Sequence, residues 1–405
     1  MLSDGELILV AGALLAAGWT ASLIAERFRL PALVLFLGLG MAIGSDGTDW
    51  IDFEDYELAR RIGVITAAAI LFEAGLAAGF AEIRPVLRPA VSLATVGTFI
   101  TAAITGLAAV WLFDFSLLQG LLIGSILAAT DSAAVFALLR QVRLPGKLSR
   151  TLEAEAGMVD PFAVLLVITF IKLIDEPGFG ALDVVWLFVA QLGVGAIAGI
   201  GIGWLGLRSL QLVEGLAYRG LHLVGSVAAM ALAYGTADVL GGSGFLAAYL
   251  AGLVFGSGRL PEKGAVRAFH SGLASLSDMA LFLALGLLVF PSQLGSVLVE
   301  GTLLALIIAF LARPVAAALA TAFERFNARE RLILGWAGLR GALPVFLATF
   351  PVTDGVPRSL EFFNIVFFAV LVSTLVQGAT VAPLARWLGI ARARPKPVSE
   401  AEARA

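Results

Sequence analysis

Long apolar runs, separated by short polar stretches, fill this chain from end to end. Taking each run as one element gives segments 6–26, 31–44, 62–80, 90–113, 117–139, 150–174, 184–208, 221–240, 245–257, 271–290, 297–323, 331–350 and 362–388. A helix crosses a bilayer with about 20 mostly apolar residues, and most of these runs reach that length. Segments 31–44 and 245–257 are shorter and are expected to extend into the Gly-containing stretches beside them. The pattern predicts an all-α, polytopic membrane protein of about thirteen transmembrane helices over residues 1–390. Residues 391–405, ARPKPVSEAEARA after the first few, read as a short polar tail.

The polar stretches set the orientation, because cytoplasmic loops collect Lys and Arg. With the N-terminus outside, the inner loops hold Arg27 and Arg29, Arg84 and Arg88, Arg140, Arg143, Lys147 and Arg150. Further along they hold Arg208 and Arg219, Arg259, Lys263 and Arg267, then Arg325, Arg329 and Arg331, and finally Arg386 and the basic tail. The outer ends carry only Arg60, Arg61, Lys172 and Arg358, beside acidic stretches such as SDGTDWIDFEDYE. The predicted location is a plasma membrane, with the C-terminus cytoplasmic.

An odd number of segments suits two copies of a six-helix unit, segments 1–6 and 8–13, joined by segment 7. The second copy then enters from the opposite face, an inverted repeat of the kind found in secondary transporters. Under that scheme segment 5 matches segment 12. Both are interrupted: GSILAATDSAAVFALL has Thr130–Asp131 in mid-run, and LILGWAGLRGALPVFLATF has Gly338, Arg340, Gly341 and Pro344. Interrupted helices in corresponding positions point to a transport site.

Composition agrees with the segment reading. The 405 residues are 60% hydrophobic and 14% charged, with a mean hydropathy of +0.96; soluble domains are about 25% charged. The net charge of −3 is spread over short loops and carries no nucleic-acid signal. Without cysteine there is no disulfide or thiolate metal chemistry, and two histidines do not make a multi-histidine site. No cofactor is expected. The start, MLSDGELILVAG, has no basic n-region and is read as uncleaved.

The chemistry then rests on charges inside the runs. A charge at the bilayer centre costs at least ~2.5 kcal/mol, so such residues face the protein interior and serve a function. They are Glu73, Asp131, Glu155, Asp160, Asp278, Arg313 and Arg340. In EAEAGMVDPFAVLL (153–166), Asp160 lies eight residues beyond Leu152, about 12 Å along a helix. Pro161 behind it withholds one backbone donor. Glu155 is about 500° away around the helix, so the two carboxylates need different partners. A buried arginine wants a carboxylate, and Arg313 is assigned to Glu155 as a structural pair. That leaves Asp160 to carry either a proton or a monovalent cation; its plainer reading is a packing carboxylate. Asp131 either touches the ion or accepts hydrogen bonds from freed amides. Thr130 offers a carbonyl if the helix unwinds, or is an ordinary helical threonine. Glu73 reaches the ion through water or merely faces the site. Arg340 supports the break in segment 12. Asp278, set near the cytoplasmic entrance, receives no ion chemistry.

The stretches ATDSAAVF (129–136), EAEAGMVDPFAVLL (153–166), LFEAGL (71–76), GGSGFLAAYLAGLVFG (241–256), LARPVAA (311–317), GWAGLRGALPVFLATFP (335–351) and LVSTLVQGATVAPLARWLG (371–389) carry a family likeness. Together they resemble the sodium/proton exchanger superfamily. Within it the likeness is to the cation:proton antiporter 1 branch (NhaP and NHE type), above all to bacterial NhaP-like potassium/proton antiporters. The resemblance implies a membrane antiporter rather than an enzyme, exchanging K+ or Na+ for H+ as a homodimer of thirteen-helix subunits. It implies a core domain with crossed, interrupted helices 5 and 12, sliding as an elevator against a dimerisation domain that includes helices 1–3 and 8–10. It implies cation binding at Asp160, helped by Thr130, Asp131 and, through water, Glu73, and a Glu155–Arg313 pair. Exchange is expected to be electroneutral, with proton and cation competing at Asp160.

Two positions depart from the family pattern Glu-Ser-Gly-x-Asn-Asp-Pro. Ala156 stands where a serine hydroxyl can ligate the ion, and Val159 stands where an asparagine precedes the aspartate. Losing these polar groups is expected to dry the site and weaken cation binding. The alternative reading is therefore a transport-impaired scaffold or sensor on the same fold. A channel would need a continuous water-filled pore with charged rings, and the sequence offers isolated acids instead. Related antiporters often carry a C-terminal regulatory domain in addition.

Overall fold

The computed structural model describes residues 4–28, 32–48, 50–51, 53–131, 134–135, 139, 142, 144–213, 215 and 219–391. All regular structure among them is helical. The second half of segment 117–139 lies partly outside the described residues. So do Arg29, Arg140, Arg143, the side chain of Arg219, and the tail from residue 392.

The helices are α1 (Asp4–Phe28) and α2 (Ala32–Ile43), then α3 (Tyr56–Ala78), α4 (Phe80–Phe113) and α5 (Leu117–Ala128). The long α6 (Gly146–Asp175) and α7 (Ala181–Leu212) follow. Next come α8 (Arg219–Val239), α9 (Gly244–Ser257), α10 (Lys263–Leu287) and α11 (Pro291–Ala320). The chain closes with α12 (Ala328–Trp336), α13 (Ala342–Thr353) and α14 (Ser359–Trp387). Among the described residues nine helices are long and apolar enough to cross a membrane, and α2, α5, α9 and α13 are shorter apolar helices.

Local sequence accounts for most boundaries. Asp55 accepts from the Leu58 amide to start α3. Reciprocal capping boxes open α5 (Ser116 with Gln119) and α12 (Asn327 with Glu330). Two helices, α4 and α10, begin furthest ahead of their apolar runs. α4 runs through Arg84, Pro85, Arg88 and Pro89 because Pro85 sits in a 3-10 turn, Arg84–Val86, and Pro89 in the first turn of the helix after it. A proline there gives up an amide with little to bond. α10 starts at Lys263 because its polar first turns cap other helices. Lys263 Nζ donates to the Gly256 carbonyl at 2.8 Å, and Arg267 Nη2 to the Leu76 carbonyl at 3.2 Å.

The helices pack in two groups. α1, α2, α3, α7, α8, α9 and α10 contact mainly one another, and α4, α5, α6, α11, α12 and α14 do the same. α13 joins them, touching α5 and α14 on one side and α3 and α10 on the other. Within lipid there is little hydrophobic drive between helices, so close backbone approach matters more. Gly252 of α9 shows it: a Cβ there would run into the Phe72 backbone of α3. α1 and α7 turn apolar side chains outward, among them Ile8, Trp19, Trp186, Ile197 and Trp204, as suits a lipid-facing surface.

Candidate functional site

Both interrupted runs are broken in the folded chain. α5 stops at Ala128 and Ala129–Asp131 lie outside any helix; α12 stops at Trp336 and the helix resumes only at Ala342. A broken helix leaves carbonyls and amides that need partners, and the two breaks supply them to each other. The Asp131 amide donates to the Leu339 carbonyl at 2.9 Å. Arg340 Nη1 donates to the carbonyls of Ala128, at 3.2 Å, and Ala129, at 2.8 Å. Arg340 is fully buried, so its charge rests on the C-terminal end of α5, where a cation is favoured.

α14 holds the second break from behind. Thr374 Oγ1 donates to the Arg340 carbonyl at 2.7 Å, and Gln377 Nε2 to the Trp336 carbonyl at 3.2 Å. Trp336 Nε1 donates to Thr380 Oγ1 at 3.0 Å, and Ser373 bonds Gln377 in turn. The glycines of the break are demanded by contact. A Cβ on Gly341 would run into the Asp131 carboxyl, and one on Gly338 into the Arg313 guanidinium.

Asp131 thus lies against Gly341, the residue preceding the first turn of α13, where a negative charge is stabilised by the helix dipole. Its Oδ1 also accepts from the Ala134 amide at 3.1 Å. These contacts are those of a capping aspartate.

Asp160 sits inside α6, one residue before Pro161, and is 4% exposed. The Thr130 backbone amide donates to it, and the Asp131 charge acts on it. Its Oδ1 has no hydrogen-bond partner among the described residues, nor has Thr130 Oγ1. Both line a cavity of about 20 Å³, large enough for a particle of the size of one water. Thr130, Asp131, Asp160, Ala342 and Leu343 form one wall. The other wall is Ala67, Ile70 and Leu71 of α3 with Asp278 and Leu281 of α10. The cavity therefore lies where the two helix groups meet.

Glu155 is on another face of α6. Arg313 Nη2 donates to its Oε1 at 2.9 Å, with both side chains at 3% exposure or less. Breaking such a buried pair by removing one partner is strongly destabilising. Arg313 opens the last α-helical stretch of α11 directly after a π turn, Ile308–Ala312. Glu73 is part-buried and does not line the cavity; it lies one turn beyond Ile70 on α3. Ala156 and Val159 do not line it either. Both are buried, and Ala156 belongs to the apolar cluster that holds Trp336, Ala337 and Leu339.

Three contributions escape a sequence reading. Asp278 is in the cavity wall, and only its position among apolar neighbours singled it out. Thr374 and Gln377 hold the second break; their signal was polar residues three apart on an apolar helix, STLVQGAT. Tyr249 is buried with its hydroxyl unpartnered among the described residues, its ring against Gly157 one turn before Asp160.

The family model described as "Sodium/hydrogen exchanger, transmembrane" matches residues 10–387. The K+/H+ antiporter NhaP2 of Shewanella oneidensis is 39% identical over 399 residues, covering 98% of this chain and 69% of that protein. The K+/H+ antiporter NhaP of Alkalimonas amylolytica is 40% identical over 385 residues, covering 94% and 66%. A Na+/H+ antiporter, NhaG of Bacillus atrophaeus, is 28% identical and covers 93% and 74%. The chain thus spans about two thirds of the length of these two K+/H+ antiporters. The solved structure of the sodium proton antiporter MjNhaP1 from Methanocaldococcus jannaschii at pH 8 superposes with a TM-score of 0.80, at 24% identity. It covers 95% of this chain and 99% of that one, a likeness of fold. These relatives are antiporters, not enzymes. This multi-pass membrane chain belongs to the sodium/hydrogen exchanger family.

Proposed function

We propose that the chain exchanges a monovalent cation for protons by elevator-type alternating access. Its family membership supports cation/proton antiport. The observation that carries the site assignment is Asp160, buried with an unpartnered oxygen in a small cavity beside two hydrogen-bonded helix breaks. A single carboxylate in that setting takes a proton or a cation, and each displaces the other. Exchange of one for one keeps the cycle electroneutral. The relatives near 40% identity are named for potassium and a more distant one for sodium, so K+ is the first cation to test and Na+ the second.

Thr130, with its unpartnered hydroxyl, is the second oxygen ligand. Asp131 serves first as a cap and adds negative charge to the wall. Glu73 acts at longer range, through water. Glu155 and Arg313 form a fixed pair, and Arg340 supports the breaks. In the transport cycle the group containing α4–α6 and α11–α14 slides against the group containing α1–α3 and α7–α10, and the cavity between them opens alternately.

The chain makes thirteen crossings, α5 and its continuation counting as one and α12 with α13 as another. Helices 1–6 and 8–13 are inverted repeats linked by helix 7. The courses of α4 and α11 support this. Each runs short helix, 3-10 turn, helix, π turn, helix, with the turns at Arg84–Val86 and Leu93–Gly97 in one and Gly295–Val297 and Ile308–Ala312 in the other. The N-terminus is outside, the C-terminus is cytoplasmic, and two subunits form a homodimer in the plasma membrane. Ala156 and Val159 lie outside the cavity wall, so a transport-impaired scaffold is not favoured.

The test is proton flux in everted vesicles on addition of K+ or Na+. Asp160→Asn, inserted and dimeric as the parent, is expected to abolish cation-dependent flux. Flux equal to that of the parent would remove Asp160 from the mechanism.

A further inference from the structure

The stretch from Glu155 to Pro161 brings a single usable side-chain oxygen donor to the cavity. Glu155 is tied to Arg313, and Ala156, Gly157, Met158 and Val159 have no oxygen to offer. Yet the cavity holds a third carboxylate. Asp278 lines it from α10, in the helix group that does not hold Asp160, and no basic side chain lines it among the described residues. Asp131 and Glu73 lie close enough to Asp278 to interact with it electrostatically. Asp160 and Thr130, which line the same cavity, each have a buried oxygen, Oδ1 and Oγ1, with no partner among the described residues. They mark a place for a ligand independently of Asp278.

The three aspartates do not form a cage. Among the described residues no three acidic or histidine side chains come close enough to hold one metal ion together. Asp278 also stands on a different structural body from Asp160: α10 packs on α2 and α3, whereas α6 packs on α4 and α5. A negative cleft with low-dielectric walls concentrates cations, and an acid on the opposite wall acts only while that wall faces the site.

We propose that Asp278 is a cation-recruiting residue of this site. It draws a monovalent cation into the cavity from the α2–α3–α10 side, before the cation settles on Asp160 and Thr130. This rests on the antiport reading and adds to it a residue that stays behind when the core moves. It also gives the chain an acid that raises cation occupancy where Ala156 and Val159 contribute none.

The experiment compares parent, Asp278→Asn and Asp278→Glu in proteoliposomes with K+ and then Na+ as the only alkali cation. Asp278→Asn is expected to raise the half-saturating cation concentration about tenfold, the weight of one nearby charge at intermediate dielectric. The maximal rate should stay within about twofold, and Asp278→Glu should return half-saturation to near the parent value. An unchanged half-saturation in Asp278→Asn, or a lost maximal rate at unchanged half-saturation, overturns the proposal. Should the parent itself show no exchange, the antiport reading fails first. Cation-dependent thermal stabilisation of the purified proteins then decides about Asp278: a right-shifted titration in Asp278→Asn supports the role, and a superimposable one overturns it.

Discussion

The two helix breaks have the same backbone fault and opposite contents. The break at Ala129–Asp131 carries side-chain oxygens: Thr130 and Asp131 line the cavity, as does Asp160. The break at Ala337–Gly341 carries no acid. It carries Arg340, which bonds carbonyls of the first break, and glycines that make room for Asp131 and for Arg313. The first break is thus held open by the second, and the second is held by α14. A binding site of exposed backbone ends is stable only if something outside the site satisfies the ends that do not bind the ligand.

That division of labour can be broken from the support side. Arg340→Ala leaves two buried carbonyls without their donor, at about 1–3 kcal/mol each. It should give the largest loss of thermal stability and no measurable exchange. Parent-like melting would mean that the first break keeps itself open. Gly341→Ala should come next, at about 1–3 kcal/mol, the range for forcing an extra methyl into a packed interior. Its signature is reduced exchange with Asp131 displaced, checked by melting temperature and vesicle flux. Thr374→Val removes one hydrogen bond from the back of the second break, about 1 kcal/mol. Exchange should survive at a reduced rate, and a complete loss would give Thr374 a part in transport itself. Asp131→Asn sharpens the comparison from the ligand side. Asparagine caps about as well as aspartate, so melting should shift by less than about 1 kcal/mol. Half-saturation for the cation should rise while the fold is kept. A large fall in stability with unchanged cation affinity would make Asp131 a support residue like Arg340.

Asp278 and Arg340 show what a sequence reading reaches. Both were flagged by the same argument, a charge stranded in an apolar run. For Arg340 the partners were guessable in kind, because an arginine in a break meets loose carbonyls. For Asp278 nothing in LASLSDMALFLALG says what it faces, since the acids that share its cavity, Asp131 and Asp160, stand well over a hundred positions away. The same limit applies to α10, whose polar first turns read as loop although Lys263 and Arg267 cap α9 and α3 from there. Thr374 and Gln377 carry little signal in the sequence, because the importance of a threonine or glutamine in a membrane helix is decided by its hydrogen-bond partner elsewhere, here the carbonyls of the second break.

By itself the sequence determined that the chain is helical and lies within the bilayer. It also determined where its helices are faulty and which charges are stranded in apolar surroundings. Those follow from local properties: hydropathy over a helix length, the amide that proline lacks, and the cost of burying one ion. Only the tertiary structure decided which charges meet. It tied Glu155 to Arg313, hung Arg340 on the end of α5, and set Asp278 in one cavity with Asp160. It left Ala156 and Val159 outside the wall. Such contacts join residues far apart in the chain, and which of them form depends on how whole helices pack, a property that no short stretch of sequence contains.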